Sequence, residues 1–145
     1  PDIIEQDTGA QVNWIKNRLV ESDPTWRIAV GHHPVYSAGF HGDTVELADV
    51  LPQLFEQHQV QAYFAGHDHH LEHYKLVGMT NYFIYGGGSW VRIVQERESS
   101  EFTSSSLGFA HVILDSTCME VSFIDDKGNV LYQTHVPSDN TIMCQ

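Results

Sequence analysis

No stretch of this 145-residue chain is long and apolar enough to cross a bilayer as a helix. Internal repeats and low-complexity tracts are absent as well. Basic residues are scarce, 7 Lys and Arg against 19 Asp and Glu, for a formal charge of -12. That balance argues against nucleic acid or an anionic membrane surface as a partner. It would also repel an anionic ligand at long range, so any anion site needs local positive charge of its own. Cysteine is nearly missing: Cys118 and Cys144 are the only two, and their spacing excludes a C-x-x-C zinc or redox motif. One disulfide or two free thiols remain the alternatives, and the terminal position of Cys144 favours free thiols. There is no initiator Met and no signal peptide. The natural N-terminus is therefore expected to be absent, and the compartment cannot be read from it.

A hydrophobic fraction of 41% is ordinary for one globular domain or a large piece of one. Val12, Ile15 and Leu19 recur at helical spacing behind the capping residues Asp7 and Thr8, and Ser22-Asp23-Pro24 stops that helix. A short apolar run, Trp26 to Val30, reads as a buried strand. A second helical pattern runs from Val45 to Phe55, and Pro52 inside it predicts a kink or a fresh start. Val60 to Ala65 is the next strand. Beyond it the pattern turns to strands: Leu71 to Val77, Tyr82 to Tyr85, Phe109 to Leu114, Met119 to Ile124 and Val130 to His135. Asp125 to Gly128 reads as a hairpin connection. The polar, Ser-rich stretch from Glu96 to Ser106 reads as a surface loop. The order α-β-α-β followed by strands predicts a mixed α/β (α+β) sandwich with helices outside.

What the chain has in quantity is histidine. Eight of the ten lie between His32 and His73. Each of the first two strands ends in a Gly-His loop: Gly31-His32-His33-Pro34 after the first, Gly66-His67-Asp68-His69 after the second. In extended backbone, residues two apart share a face, so one loop can deliver both His67 and His69. Neutral imidazole is the commonest metal ligand in proteins. Paired at neighbouring strand ends, these motifs point to a metal site; His-x-His alone would not. His33 and His70 adjoin the proposed ligands and read as hydrogen-bonding supports or as partly exposed. Asp68 reads chiefly as a turn residue. His41, on a Gly-flanked loop, reads either as a site residue or as a surface one. His58, His73, His111 and His135 read as structural. Tyr36, Phe40 and Trp90 are pocket walls or core, and Gly86-Gly87-Gly88 lets backbone pass close to the metal loop.

With these motifs, the chain resembles the C-terminal half of a calcineurin-like metallophosphoesterase, and more narrowly the purple acid phosphatases of the tartrate-resistant type. Gln11 to Lys16, His41-Gly42, Gly108-Phe109-Ala110 and the hairpin at Gly128 follow the same order. The resemblance implies a four-layer αββα sandwich, two mixed sheets face to face with helices outside. It also implies two metal ions, Fe(III) plus a divalent ion (Fe, Zn or Mn). His32 and His67 would bind the divalent ion and His69 the ferric one. His41 would contact the phosphoryl group or protonate the leaving alkoxide. Two ions about 3.5–4 Å apart clamp phosphate oxygens and hold a hydroxide in line with the leaving group. The implied substrate is a phosphate monoester, with a phosphodiester or nucleotide as the rival and a non-catalytic metal-binding fragment as the rival from another class. A secreted or lysosome-like compartment is implied. The family's remaining ligands, in Gly-Asp and Gly-Asn-His motifs, lie upstream, and neither motif precedes Gly31. The expectation is therefore a single-domain piece spanning 1–145 that needs a missing N-terminal half as its partner and is inactive without it.

Overall fold

The computed structural model describes residues 7–21, 23–139, 141 and 144. Helix α1 spans Thr8–Val20, and the Asp7 side chain accepts the amide of Ala10 at 2.9 Å to cap it. The helix ends at Val20, before Asp23-Pro24; Ser22 of the expected stop signal lies outside the described residues. Strand β1 is Ile28–Val30. The second helical pattern divides into α2, Val45–Ala48, and α3, Leu51–Gln57. Pro52 stands in the first turn of α3, where the missing N–H costs nothing, so it starts a new segment.

Strands β2 (Ala62–Ala65), β3 (Leu71–Lys75), β4 (Asn81–Tyr85) and β5 (Ser100–Ser104) join β1 in a five-stranded sheet of order β1-β2-β4-β3-β5. The neighbours β1, β2 and β4 run parallel; β3 is antiparallel to β4 and to β5. Strands β6 (Gly108–Leu114), β7 (Cys118–Asp125) and β8 (Val130–Pro137) form an antiparallel sheet of three. Gly128 connects β7 to β8 at φ 85°, a conformation that favours glycine.

Alternation along β2 explains the layering. Tyr63 and Ala65 face the helices, packing with Val35, Leu51 and Phe55 and with Ile15 and Leu19 of α1. Ala62 and Phe64 face the other way, against Met119, Val121 and Phe123 of β7. Helices, first sheet and second sheet make a mixed α/β arrangement of three layers among the described residues. Fully burying a side chain such as Phe55, Phe83 or Phe123 stabilises by about 1.5–3 kcal/mol.

Two expectations are corrected. Residues 96–106 are not simply a loop, because β5 lies within them at the sheet edge. Its polarity hid it: Phe102 is its one apolar residue, stacked on Tyr132 at 4.7 Å and Phe123 at 5.7 Å. Cys118 and Cys144 are not free thiols; they are disulfide-bonded, with Cα atoms 5.5 Å apart. The tail after β8 returns to the start of β7, a proximity that sequence spacing cannot show. Among the described residues, no helix is long and apolar enough to cross a membrane.

Candidate metal centre

The carboxyl ends of β1, β2 and β4 lie along one edge of the first sheet, the place where ligands bind in open α/β sheets. The parallel ladder continues past the strand ends into both histidine loops. The amide of Gly31 donates to the Phe64 carbonyl at 3.0 Å, and that of Gly66 to the His32 carbonyl at 3.1 Å. Gly31 must be glycine here, since a Cβ would fall 2.1 Å from the Tyr63 hydroxyl. That hydroxyl donates to the His33 carbonyl at 2.7 Å.

These constraints bring His32 and His67 together, with Nε2 of the first 3.2 Å from Nδ1 of the second. His33 joins them: one nitrogen from each of His32, His33 and His67 lies within 4.8 Å of the others. Sequence reading left His33 beside the site rather than in it; its adjacency to His32 was the available signal. His67 sits at φ 60°, a left-handed conformation uncommon for a residue with a side chain. His41 lies beside it, ring centroids 4.5 Å apart. Nitrogens of His69 are not in the three-imidazole group. Its ring stands edge-on to Trp90 at 5.0 Å, and its Nδ1 is buried with no hydrogen-bond partner among the described residues.

Burial lowers the His67 pKa from its ordinary value, and the neighbouring His33, His41 and His32 lower it further, while Asp68 opposes them. The shift favours the neutral form of the imidazole, the form that can donate to a metal. The three neighbouring imidazole nitrogens are a donor set that fits a transition-metal ion, and the orphaned His69 Nδ1, outside that group, is a further candidate ligand atom.

The support beneath the loops is acidic and buried. Asp68 accepts from the Ser37 hydroxyl and from the His41 amide, the latter at 3.1 Å. It does more than turn the loop: it clasps the neighbouring one. Glu72, fully buried, accepts from the Ala38 amide at 2.9 Å and the Ser100 hydroxyl at 2.5 Å and pairs with His70 Nε2 at 2.8 Å. His70 is therefore a buried support, not a surface residue. Arg97 grips Asp43 through two contacts, at 2.5 and 3.0 Å. Burial alone would raise the Asp43 pKa, but hydrogen bonds from Arg97 and the Ser37 amide hold it below the ordinary value. Gly86 closes the floor, where a Cβ would meet the Asp68 carbonyl at 2.0 Å. Tyr36 is partly buried against the core, stacked on Tyr74 at 4.9 Å, whereas Phe40 and Trp90 are exposed at the rim.

Residues 2–71 match the family model for calcineurin-like phosphoesterases, across both histidine loops. Over these residues the chain resembles the calcineurin-like phosphoesterases. It is similar to purple acid phosphatase 7 of Arabidopsis thaliana, 38% identical over 120 residues that make up 80% of the chain and 37% of that protein. It is 31% identical to human tartrate-resistant acid phosphatase type 5 over 137 residues, 88% of the chain and 42% of that protein. Among solved structures it resembles GAP50, the anchor in the inner membrane complex of Plasmodium, at TM-score 0.83 and 26% identity, over 89% of the chain and 42% of that one. It shares the fold of the purple acid phosphatase PPD1 from yellow lupin, at TM-score 0.73 and 19% identity, over 88% of the chain and 28% of that one. The chain thus spans about two fifths of the length of the curated relatives named here.

Proposed function

We propose that this chain is the C-terminal part of a single metallophosphoesterase domain that hydrolyses phosphate monoesters, as an acid phosphatase does. The observation that carries the reading is the convergence of His32, His33, His67 and His41 at the carboxyl ends of parallel strands. In this reading His32 and His67 hold a divalent ion, and His69 offers its unpartnered Nδ1 toward a ferric ion. When bound, the ions supply Lewis-acid charge that activates water and offsets the charge of the phosphate. His41 then faces the phosphoryl group, where its imidazole can donate a hydrogen bond or pass a proton to the leaving oxygen. The clasp from Asp68 to the His41 backbone positions that residue. An N-terminal half supplies the carboxylate ligands, and the 145-residue chain is inactive without it. The disulfide supports an oxidising compartment, secreted or lysosome-like.

The test is hydrolysis of p-nitrophenyl phosphate and its bis ester by the 145-residue chain and by a longer protein containing it. Turnover by the longer protein, faster on the monoester and abolished by His67→Ala, is expected. Robust turnover by the 145-residue chain alone would contradict the need for a second half. A second reading is a non-catalytic metal-binding piece, favoured by the similarity to a protein described as an anchor. Metal binding by the longer protein without turnover on either ester would select it.

A further inference from the structure

The loop after β4 carries a cation that the histidine motifs do not account for. Arg92 lies with its guanidinium carbon 4.3 Å from the ring centroid of Phe40 and 4.7 Å from that of Trp90. Its Nη1 is 3.4 Å from His41 Nε2. Its backbone amide donates to the His69 carbonyl at 2.8 Å. Both ends of the residue are therefore tied to the site. The contacts close a circuit: His67 to His41 at 4.5 Å, His41 to Phe40 at 5.1 Å, Phe40 to Arg92 to Trp90, and Trp90 to His69 at 5.0 Å.

Four of the six other Lys and Arg residues in this acidic chain are engaged elsewhere. Arg18 pairs with Glu21, Arg27 with Asp23, and Arg97 with Asp43, while Lys75 donates to the Met79 carbonyl. Among the described residues, no carboxylate lies within ion-pair distance of Arg92. Phe40 and Trp90, 71% and 52% exposed, hold it at the rim of the histidine cluster. An arginine fixed between two rings keeps its charge and its fork of N–H donors, and it has already lost much of its rotamer freedom.

From this geometry we infer that Arg92 is a substrate-contacting residue, forming with His41 a two-pronged clasp for a phosphate group and favouring doubly charged monoesters over singly charged diesters. The inference rests on the phosphoesterase reading above. An oxygen placed between Arg92 and His41 accepts from Nη1, and from Nε2 in the His41 tautomer that carries its proton there, replacing the contact in which Nε2 accepts from Arg92. The guanidinium adds positive charge beside His41. A dianion gains more from that charge than a diester monoanion does, and a diester's second substituent meets the Phe40–Arg92–Trp90 wall.

The test uses the longest natural form of the protein, with its metal content measured and held constant. Inorganic phosphate and dimethyl phosphate are titrated calorimetrically at one pH where phosphate is mainly dianionic. Arg92→Gln is expected to weaken inorganic phosphate by about tenfold to a hundredfold, with metal content unchanged and a smaller loss for dimethyl phosphate. Arg92→Lys, which keeps the charge but not the fork, is expected to recover part of that loss at low salt and less at high salt. A role confined to loop packing would not yield that salt-dependent rescue. Equal phosphate affinity in wild type and Arg92→Gln overturns the inference and leaves the phosphoesterase reading standing. Failure of metal-loaded wild type to bind inorganic phosphate overturns both.

Discussion

The amide N–H of His41 donates to the buried carboxylate of Asp68 at 3.1 Å, tying the first histidine loop to the second. The other oxygen of that carboxylate accepts from the Ser37 hydroxyl, whose own oxygen accepts the Gly39 amide at 3.0 Å. One side chain thus sets the path of the backbone from Ser37 to His41. Asp68→Ala strands a buried hydroxyl and an amide, and the expected loss of stability is about 2–3 kcal/mol. Asp68→Asn keeps an acceptor and should lose less. Urea denaturation of the three proteins checks the order; equal midpoints would remove Asp68 from any supporting role.

Gly86 tests how closely the β4 loop approaches the second histidine loop. A Cβ there would lie 2.0 Å from the Asp68 carbonyl oxygen, which belongs to backbone and cannot rotate away. Gly86→Ala is expected to destabilise by about 1–3 kcal/mol through overpacking. Gly88 is the control, since a Cβ there meets nothing within 4 Å. Thermal melts should separate the two variants clearly. Similar melting temperatures would mean the loops do not approach as described.

Much of this architecture is legible in the residues. The Gly-His loops announce themselves because a strand that ends in glycine and histidine has few other readings, and Pro52 marks the new helix because its ring forbids continuation. Other features depend on contacts distant in sequence. Asp68 looks like a turn residue until Ser37 and His41 are seen above it. Strand β5 is invisible to a hydrophobicity pattern, since an edge strand with one inward Phe has no alternation to read. His33 entered the nitrogen cluster through the Tyr63 hydrogen bond to its carbonyl, a contact no spacing rule contains.

His73 supplies a pH prediction. It lies between the sheets, stacked on Phe83 at 4.5 Å. The Asn81 amide nitrogen donates to the Met79 carbonyl at 3.0 Å, which turns Asn81 Oδ1 toward His73 Nε2 at 3.0 Å. Nε2 therefore carries the proton, and Nδ1 accepts from the Tyr132 hydroxyl at 2.9 Å. Burial pushes this pKa down to about 4, against the raising effect of the Asn81 hydrogen bond. The folded chain then binds fewer protons than the unfolded chain between pH 6.5 and about 4. Stability from this group is full above the unfolded value and is lost as pH falls toward the folded one, by about 3 kcal/mol at most. Wild type should lose more stability than His73→Gln between pH 7 and about 4.5. Parallel loss in both proteins would show that His73 does not set the slope.

The last prediction concerns two open edges. Among the described residues, strand β1 pairs only with β2, and β6 only with β7. Val30 on β1 is 70% exposed, and Ile113 on β6 is 56% exposed. A groove of ≈ 670 Å³ lies between α1 and β1, lined by Trp14, Ile15, Leu19 and Ile28 and reaching His32 and His33. Unpaired strand edges beside exposed apolar side chains are templates for pairing with another chain. The 145-residue chain is therefore expected to self-associate at micromolar concentration. A charge on each edge, Val30→Lys with Ile113→Lys, should shift it toward monomer, because lysine on an edge opposes docking. Sedimentation velocity across a concentration series measures this directly. A wild-type chain that sediments as a monomer throughout would mean that the exposed edges are tolerated as they stand.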